Sequence, residues 1–276
     1  MKLFCSTGAL IGLANGRNYR LLEEIVPHID CEGFEFMMYS TWYGEEEEIV
    51  KVLQGLPVSF PVTHVEKRIG EKIASRDDGD WEEAFEKFHT NCRIARAIGS
   101  KLLVMHLWSG TISDSRMENN LEAFPLLKSI AGEYGLQLTV ENVVCNQRSP
   151  MVHLKELQKE DKDVLFTFDT KMADFHKELD LVYEKEWKWL FSEKHVTHLH
   201  INDHQGEYMD WSNLRALPIG EGTIDFQRFF DFIRKWDYAG NITYEASGLM
   251  PSGEVDYDKI NKSLNKIREY WDKASR

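Results

Sequence analysis

Side chains that bind metals recur at the ends of apolar runs in this sequence. Glu141, Asp169 and Glu245 each follow a run of apolar and β-branched residues, and His200 ends another run in the stretch VTHLHINDH. A carboxylate in such a position is expected to be buried, and acidic residues are almost never buried unless they are paired or bound to a metal. Three carboxylates directed at one cavity would repel one another, so these residues predict a cation between them.

The types of these ligands narrow the choice of metal. Three carboxylates and one imidazole form a mixed site, in which the carboxylates favour Mn²⁺ or Mg²⁺ and the histidine admits Zn²⁺ or Co²⁺. We therefore expect one divalent cation, with Mn²⁺ as the first choice. Asn142, Thr170 and Asp203 lie close to these ligands in sequence and are expected to orient them by hydrogen bonds.

Two more histidines, His64 and His106, end the third and fourth apolar runs. Taken singly, each is as consistent with a hydrogen-bonded core residue as with a ligand. Together they leave room for a second metal that shares Glu141, or for contact with a substrate. His198 precedes His200 by two positions and is expected to lie one layer deeper, where it packs. Most of the remaining histidines are expected at the surface or at helix ends: His28, His89, His153, His176, His195 and His204.

The elements that carry these residues alternate regularly along the chain. Apolar runs predict strands at Lys2–Ser6, Gly33–Met38, Pro57–His64, Lys101–Leu107, Gln137–Asn142, Val164–Asp169, Val196–Ile201 and Asn241–Ala246. Helical spacing predicts helices near residues 17–28, 45–53, 80–99, 117–134, 150–159, 179–190, 225–236 and 257–271. Asp80 and Glu83 predict a capping box at the start of the third of these helices.

Eight strand–helix units in about 250 residues predict a (β/α)8 TIM barrel, which we expect to occupy residues 1–276 as a single domain. No Pro- or Ser-rich linker or low-complexity tract marks a second domain. A doubly wound sheet is the competing architecture, but no G-x-G-x-x-G opens any of the helices. In a barrel the C-terminal ends of the strands converge on one mouth, which would bring the candidate ligands together.

Composition excludes several classes of partner. The formal net charge of −13 disfavours nucleic acid, whose phosphates are bound by Lys and Arg. No stretch approaches the roughly 20 apolar residues that span a membrane. Four cysteines without a C-x-x-C pair indicate free thiols in a reducing cytoplasm. The expected partner is a small molecule, and the oligomeric state stays open, a homo-oligomer included.

Loops after the predicted strands carry several aromatic residues: Trp42, Tyr43, Trp108, Tyr208 and Trp211. Flat aromatic faces at a polar mouth suit a carbohydrate ring, although each of them alone is at least as consistent with packing or a lid. We expect Trp108 and Trp211 near the substrate. Lys67, Arg68 and Lys171 could hold an anionic group, although lysines and arginines in loops usually face water.

Five segments of the chain carry a family pattern: TVEN at 139–142, FDT at 168–170, HLHIND at 198–203, LPIGEGTIDF at 217–226 and ITYEA at 242–246. In order and spacing the sequence resembles the xylose-isomerase-like barrel superfamily of sugar isomerases and epimerases over nearly its whole length. The resemblance implies that Glu141, Asp169, His200 and Glu245 bind one divalent metal. It also implies that the two glutamates are the acid/base pair.

The sequence departs from the pattern of the free-ketose epimerases in that superfamily at three positions. Met172 replaces a histidine, Gln147 replaces a second glutamate, and Gly206 replaces an arginine. A different polyol, a keto acid or an oxidised sugar therefore becomes a plausible substrate. The chain also lacks the D-R-H trio of the endonuclease-IV-type nucleases in the same superfamily, which disfavours a nuclease.

The resulting hypothesis is a metal-dependent sugar isomerase or epimerase. Two adjacent substrate oxygens would chelate the cation, which would stabilise an enediolate, while one glutamate removes a proton and the other returns it. The same enediolate could instead expel a β-substituent, as in a dehydratase or lyase, and the sequence does not separate these outcomes. A non-catalytic sugar-binding barrel and the nuclease are the remaining alternatives.

Overall fold

The structure is a computed structural model that describes residues 1–275. Its parallel strands are β1 (Lys2–Ser6), β2 (Phe34–Met37), β3 (Val62–His64), β4 (Leu102–Met105), β5 (Gln137–Glu141), β6 (Leu165–Asp169), β7 (Val196–His200) and β8 (Asn241–Tyr244). Its α-helices are α1 (Leu22–Ile25), α2 (Glu46–Gly55), α3 (Arg68–Ser75), α4 (Asp80–Ala97), α5 (Met117–Glu133), α6 (Pro150–Glu160), α7 (Thr170–Phe175), α8 (Trp189–Ser192), α9 (Phe226–Lys235) and α10 (Tyr257–Lys273). The strands form a closed barrel in the order β1 to β8, which confirms the predicted (β/α)8 TIM barrel.

The chain comprises two compact units. The terminal unit is Met1–Glu32 together with the chain from Phe166 onward, and the central unit is Gly33–Leu165. In the terminal unit, the register of the parallel strands sets Asp169 of β6 beside His200 of β7, and His200 beside Thr243 of β8. The single domain over residues 1–276 stays a prediction.

In the central unit, β2 to β5 pair in parallel through three ladders. Every residue of β2 and β4 is buried, as expected for parallel strands that are covered on both faces. This burial explains why the strands appear in the sequence as continuous apolar runs. It also explains why a polar side chain at a strand end stands out.

Three local predictions within residues 17–83 were wrong. β3 begins at Val62 rather than near residue 57, because Pro57 and Pro61 lack the N–H group that a strand ladder needs. The helix expected over residues 17–28 is instead the short helix α1 between 3₁₀ turns, of which the last contains Pro27. Asp80 and Glu83 do not form a capping box, since both carboxylates bind the Lys72 ammonium at 2.7 Å.

Helix α3, which the sequence did not predict, lies directly against the end of β4. A Cβ atom at Gly70 would stand 2.2 Å from the carbonyl oxygen of His106 and 2.5 Å from that of Leu107, so only glycine permits this approach. The side-chain amide of Asn120 donates to the carbonyl oxygens of Gly70 and Leu107 and closes the contact.

Helix α7 was also not predicted. The helix expected over residues 179–190 is a 3₁₀ turn (Leu179–Tyr183) followed by α8.

Among residues 1–275, no helix combines the length and the apolar character that a bilayer crossing requires.

Candidate metal centre

Three candidate ligands come together in the terminal unit. Asp169 ends β6, His200 ends β7, and Glu245 directly follows β8. Each offers one ligand atom, and these atoms lie within 4.8 Å of one another. Asp169 and His200 are fully buried, and the Glu245 side chain is 14% exposed. His200 Nδ1 lies 3.1 Å from Glu245 Oε2. Two buried carboxylates beside an imidazole form a site that a divalent cation fits.

Asn202 ties two of these ligands together. Its side-chain amide donates to Glu245 Oε2 at 3.2 Å and to Asp169 Oδ2 at 3.4 Å, and its carbonyl oxygen accepts the backbone N–H of Glu245 at 3.0 Å. The residue is fully buried. Asn202 was not predicted from the sequence, although its place two residues after His200 puts it on the same side of an extended chain.

Thr170 holds Asn202 in turn, and Asp169 also caps a helix. The Thr170 hydroxyl donates to the backbone carbonyl oxygen of Asn202 at 2.8 Å and accepts the backbone N–H of Asn202 at 3.1 Å. Asp169 Oδ1 accepts the backbone N–H groups of Lys171 and Met172, which fixes the carboxylate at the start of α7. The Lys171 ammonium lies 3.9 Å from Asp169 Oδ2. Thr170 therefore orients a ligand indirectly, through the Asn202 amide.

His198 has the packing environment that the sequence predicted. It is fully buried, its Nε2 lies 3.1 Å from the hydroxyl of Thr243, and its ring meets that of His200 edge to face at 5.2 Å.

A second group of ligands forms within the central unit. His64 ends β3, His106 directly follows β4, and Glu141 ends β5. Glu141 Oε2 lies 2.8 Å from His106 Nε2 and 3.3 Å from His64 Nε2, and the three side chains are at most 6% exposed. Burial lowers the pKa of His106 to about 4, although the Glu141 carboxylate acts in the opposite direction. His106 is therefore a neutral imidazole at pH 7, the form that binds metals.

Which ring nitrogen of His64 carries the proton affects whether this second group of ligands can bind a cation. His64 Nδ1 lies 2.8 Å from the carbonyl oxygen of Val65, which can only accept, so this contact assigns the proton to Nδ1. In the neutral imidazole, Nε2 then directs a lone pair toward the carboxylate of Glu141. Two electron-rich groups that face each other in a buried site require a proton or a cation between them. The donor set therefore fits a metal ion.

A family model described as a xylose isomerase-like TIM barrel matches residues 24–270, which is most of the chain. The chain belongs to this family. Sequence comparison with curated proteins gives no match.

Several solved structures share the fold over almost the full chain. A D-tagatose 3-epimerase-like protein matches with a TM-score of 0.69 and 20% identity, covering 99% of this chain and 97% of that one. The 3-keto-D-glucoside 4-epimerase of E. coli matches with a TM-score of 0.67 and 16% identity, covering 98% and 99% of the two chains. The IolI protein, in a structure with a zinc atom, matches with a TM-score of 0.67 and 15% identity, covering 98% and 96%. At these identities the likeness establishes the fold.

Two aromatic residues expected at the mouth are instead buried. Trp108 is fully buried, and its indole N–H donates to the carbonyl oxygen of Val143 at 2.9 Å. Trp42 is 3% exposed and stacks on Phe36. Neither offers a free face to a sugar ring, because the surrounding core covers it. Trp211 is different, since 51% of it is exposed.

The Asp203 carboxylate binds the backbone of a turn and does not orient a metal ligand. Its carboxylate accepts the backbone N–H groups of Gly220, Gly222, Ile224 and His204 at 2.8–3.2 Å. These bonds stabilise the PIGEG turn at residues 218–222, which is part of the family pattern. Asn142, the other expected partner of a ligand, is fully buried directly after Glu141.

A buried ion cluster in the central unit escaped the sequence analysis. Asp114 accepts the backbone N–H groups of residues 146, 147 and 148, and its Oδ2 lies 2.8 Å from His153 Nε2. His153 Nδ1 lies 2.8 Å from Glu156 Oε2. Burial acts to raise the pKa of Asp114, but these hydrogen bonds outweigh it and leave the pKa well below its ordinary value.

The expectation that most of the other histidines lie at the surface or at helix ends was wrong for three of them. His153, His195 and His204 are at most 6% exposed. His176 is also buried, but it stands at a helix end as the C-cap residue of α7. The signal for His153 was its spacing of three from Glu156 on a helix, which places both on one face.

Proposed function

We propose that this protein is a divalent-metal-dependent isomerase or epimerase of sugars or sugar derivatives. The observation that carries the proposal is the buried group of Asp169, His200 and Glu245, which offers a cation two carboxylates and an imidazole within 4.8 Å. Burying such a group without a cation is costly, and strand ends of a barrel are where enzymes of this fold place their chemistry.

We propose that Glu141 joins these three residues in binding one cation, with Mn²⁺ as the first choice and Mg²⁺, Zn²⁺ or Co²⁺ as alternatives. All four residues stand at or directly after the ends of parallel strands of one barrel, and such ends face the same mouth. His64 and His106 would bind a second cation that shares Glu141, or would contact the substrate. The metal analysis described below separates these two stoichiometries.

When bound, the cation would acidify the C–H bond beside a substrate carbonyl. Proton transfer itself falls to Glu141 and Glu245, of which one removes the proton and the other returns it. Return to the same carbon from the opposite face inverts the centre, and return to the neighbouring carbon isomerises the sugar. Asn202 supports this role, since its amide and carbonyl hold both the carboxylate and the backbone of Glu245.

The neighbours in structure agree with this class of reaction. Two of those named above are a D-tagatose 3-epimerase-like protein and a 3-keto-D-glucoside 4-epimerase, which act on small carbohydrates by their names, and a third carries zinc. Since four cysteines without a C-x-x-C pair are typical of a chain in a reducing compartment, we also propose a cytoplasmic location.

Solvent exchange at carbon tests the proposal directly. The protein is loaded with each of the four metals and incubated in deuterated water with a panel of aldoses, ketoses and keto-glycosides, and C–H exchange is followed by NMR. We expect metal-dependent exchange at the carbon beside the carbonyl of at least one sugar. Elemental analysis of the same samples should give one cation per chain, or two if His64 and His106 form a second site.

A variant at an exposed carboxylate outside the group of candidate ligands provides the control. Glu254→Gln changes an exposed loop glutamate in the same way and should keep full exchange. Absence of exchange with every sugar, in protein that holds a stoichiometric cation, would refute the proposed function.

A further inference from the structure

The terminal unit contains a cavity that none of the candidate metal ligands lines. It lies along the segment that follows β7 and has a volume of about 600 Å³, within the range of small-molecule sites. Polar side chains dominate its wall: Lys177, Gln205, Glu207, Asp210, Asn213 and Arg215. Carboxylates, amides and a guanidinium are planar groups with two or more hydrogen-bonding atoms each.

The same segment displays exposed aromatic side chains. Four large hydrophobic residues are exposed in residues 1–275, and two of them, Tyr208 at 61% and Trp211 at 51%, lie on this segment. Their neighbours in the chain, Glu207 and Asp210, line the cavity, so the exposed aromatic surface lies beside it, an arrangement typical of a binding site. An aromatic face covers the apolar C–H face of a sugar ring, while planar polar groups bind its hydroxyls.

Trp211 is held in place before any ligand arrives. Its ring meets Phe175 edge to face at 5.1 Å. Asp210 caps the turn that carries it, accepting from the Ser212 hydroxyl and the Asn213 amide at 2.6 Å each. The backbone N–H of Met209 donates to the carbonyl oxygen of Phe175 at 2.9 Å. A ligand that stacks on Trp211 therefore loses little free energy to the ordering of this segment.

A buried histidine lies behind Gly206, which lines the cavity. His204 is fully buried, and its Nδ1 lies 2.6 Å from Asp174 Oδ2. Its Nε2 has no hydrogen-bond partner among residues 1–275. The ring edge lies against Gly206, where an added Cβ atom would stand 3.4 Å from Nε2. A buried ring nitrogen without a partner indicates a missing polar group, such as a ligand hydroxyl or a water.

The charges of the cavity decide between a sugar ring and a simple anion. The Lys177 ammonium already pairs with Asp174 at 3.3 Å, and the acidic residues Glu207 and Asp210 line the cavity together with Arg215. A phosphate or carboxylate would meet like charges here, and its binding would lose much of the attraction that the cations offer. Hydroxyl groups both donate and accept, so they suit a wall that presents both signs.

We propose that this cavity is a subsite for a second sugar ring, so that the substrate is a glycoside or an oligosaccharide rather than a free monosaccharide. Trp211 would stack on the ring, and Arg215 with Asn213 would bind its hydroxyls. The segment begins directly after the candidate ligand His200, so the cavity lies among the loops at the C-terminal ends of the strands, where the candidate ligands also stand. Only the statement that the first ring reacts rests on the proposed function.

Direct binding by the full chain tests the subsite without any need for turnover. Maltose, cellobiose and trehalose are titrated calorimetrically against methyl glucoside, both with Mn²⁺ and with a chelator. We expect at least one two-ring sugar to bind at least about tenfold more tightly than methyl glucoside under both conditions. Trp211→Ala and Arg215→Ala should each abolish that preference, a loss typical of a central aromatic or arginine contact.

Leu126→Ala is the matched control, because Leu126 is as exposed as Trp211 and lies on α5 in the other unit. It should leave the preference unchanged, and circular dichroism should show that all three variants fold. The subsite is refuted if no two-ring sugar is preferred, or if the preference survives both substitutions. Preference without C–H exchange would refute only the proposed function, and exchange of free monosaccharides without preference would refute only the subsite.

Discussion

Asp114→Asn should strongly destabilise this protein although it replaces only one heavy atom, a carboxylate oxygen by an amide nitrogen. Oδ1 of Asp114 accepts the backbone N–H groups of residues 146 and 147, and Oδ2 accepts that of residue 148 while it contacts His153. An asparagine can keep the two bonds to Oδ1. Its NH₂ group then replaces Oδ2 and faces a backbone N–H, so a donor meets a donor.

The expected cost follows from those lost contacts. A buried N–H group left without an acceptor costs about 1–3 kcal/mol, and a hydrogen bond to a charged group contributes about 1.5–3 kcal/mol. We therefore expect the free energy of unfolding to fall by about 3–5 kcal/mol, which agrees with the cost of breaking a buried ion pair. Such a loss is a large fraction of the ~5–15 kcal/mol that stabilises a typical protein.

Urea denaturation at pH 7, followed by circular dichroism, measures this difference. Asp225→Asn is the matched control, since Asp225 caps α9 by accepting the backbone N–H of Arg228 at 3.0 Å. Asparagine caps a helix about as well as aspartate, so the same chemical change should cost little there. The explanation fails if Asp114→Asn costs less than about 1 kcal/mol or no more than the control.

The lowered pKa of Asp114 adds a pH signature. Burial raises this pKa, the bonds from His153 and the backbone lower it by more, and the carboxylate is therefore held in its charged form. A carboxylate whose folded pKa is depressed stabilises the protein above its unfolded pKa of about 3.9, and this contribution disappears as the pH falls through the lowered value. The stability difference between the wild type and Asp114→Asn should therefore shrink as the pH falls below about 3.9, which urea denaturation at pH 5 and at pH 3 measures.

Three further predictions concern the proposed metal centre. Chelation of the bound cation should lower the Tm, because metal binds only the folded state; an unchanged Tm together with no metal by elemental analysis would argue against the site. His200→Ala should weaken metal binding in a competition assay, whereas His198→Ala should mainly reduce stability; equal loss of metal from both would show that the ligand is wrongly assigned. Glu141→Gln and Glu245→Gln, each saturated with Mn²⁺, should lose proton exchange by about 10²–10⁴-fold, and wild-type exchange in either would contradict the acid/base assignment.

The barrel and the strand ends could be predicted because buried strands produce a simple pattern in the sequence. Parallel strands covered on both faces give continuous apolar runs, so a carboxylate such as Asp169 stands out at the point where a run stops. Weaker local signals failed where a tertiary contact competed. Asp80 resembles the start of a capping box, but the Lys72 ammonium binds its carboxylate instead.

Contacts between residues far apart in sequence could not be predicted, for a different reason. Asp114 and His153 are 39 positions apart, and neither carries a local signal that names the other. Asn202 holds Asp169 and Glu245 through rotamers that only the assembled strands select. Periodicity indicates which face of an element is buried, but it carries no information about which polar groups meet there.

Gly70 limits how this barrel can be redesigned. The carbonyl oxygens of His106 and Leu107 lie where a side chain at position 70 would begin, so any larger residue would push the end of β4, with its histidine, away from α3. In a library of variants selected for function, glycine should persist at this position while the neighbouring exposed residues Lys67 and Arg68 drift. A substitution at position 70 would therefore shift His106 indirectly, without any change to the candidate ligands themselves.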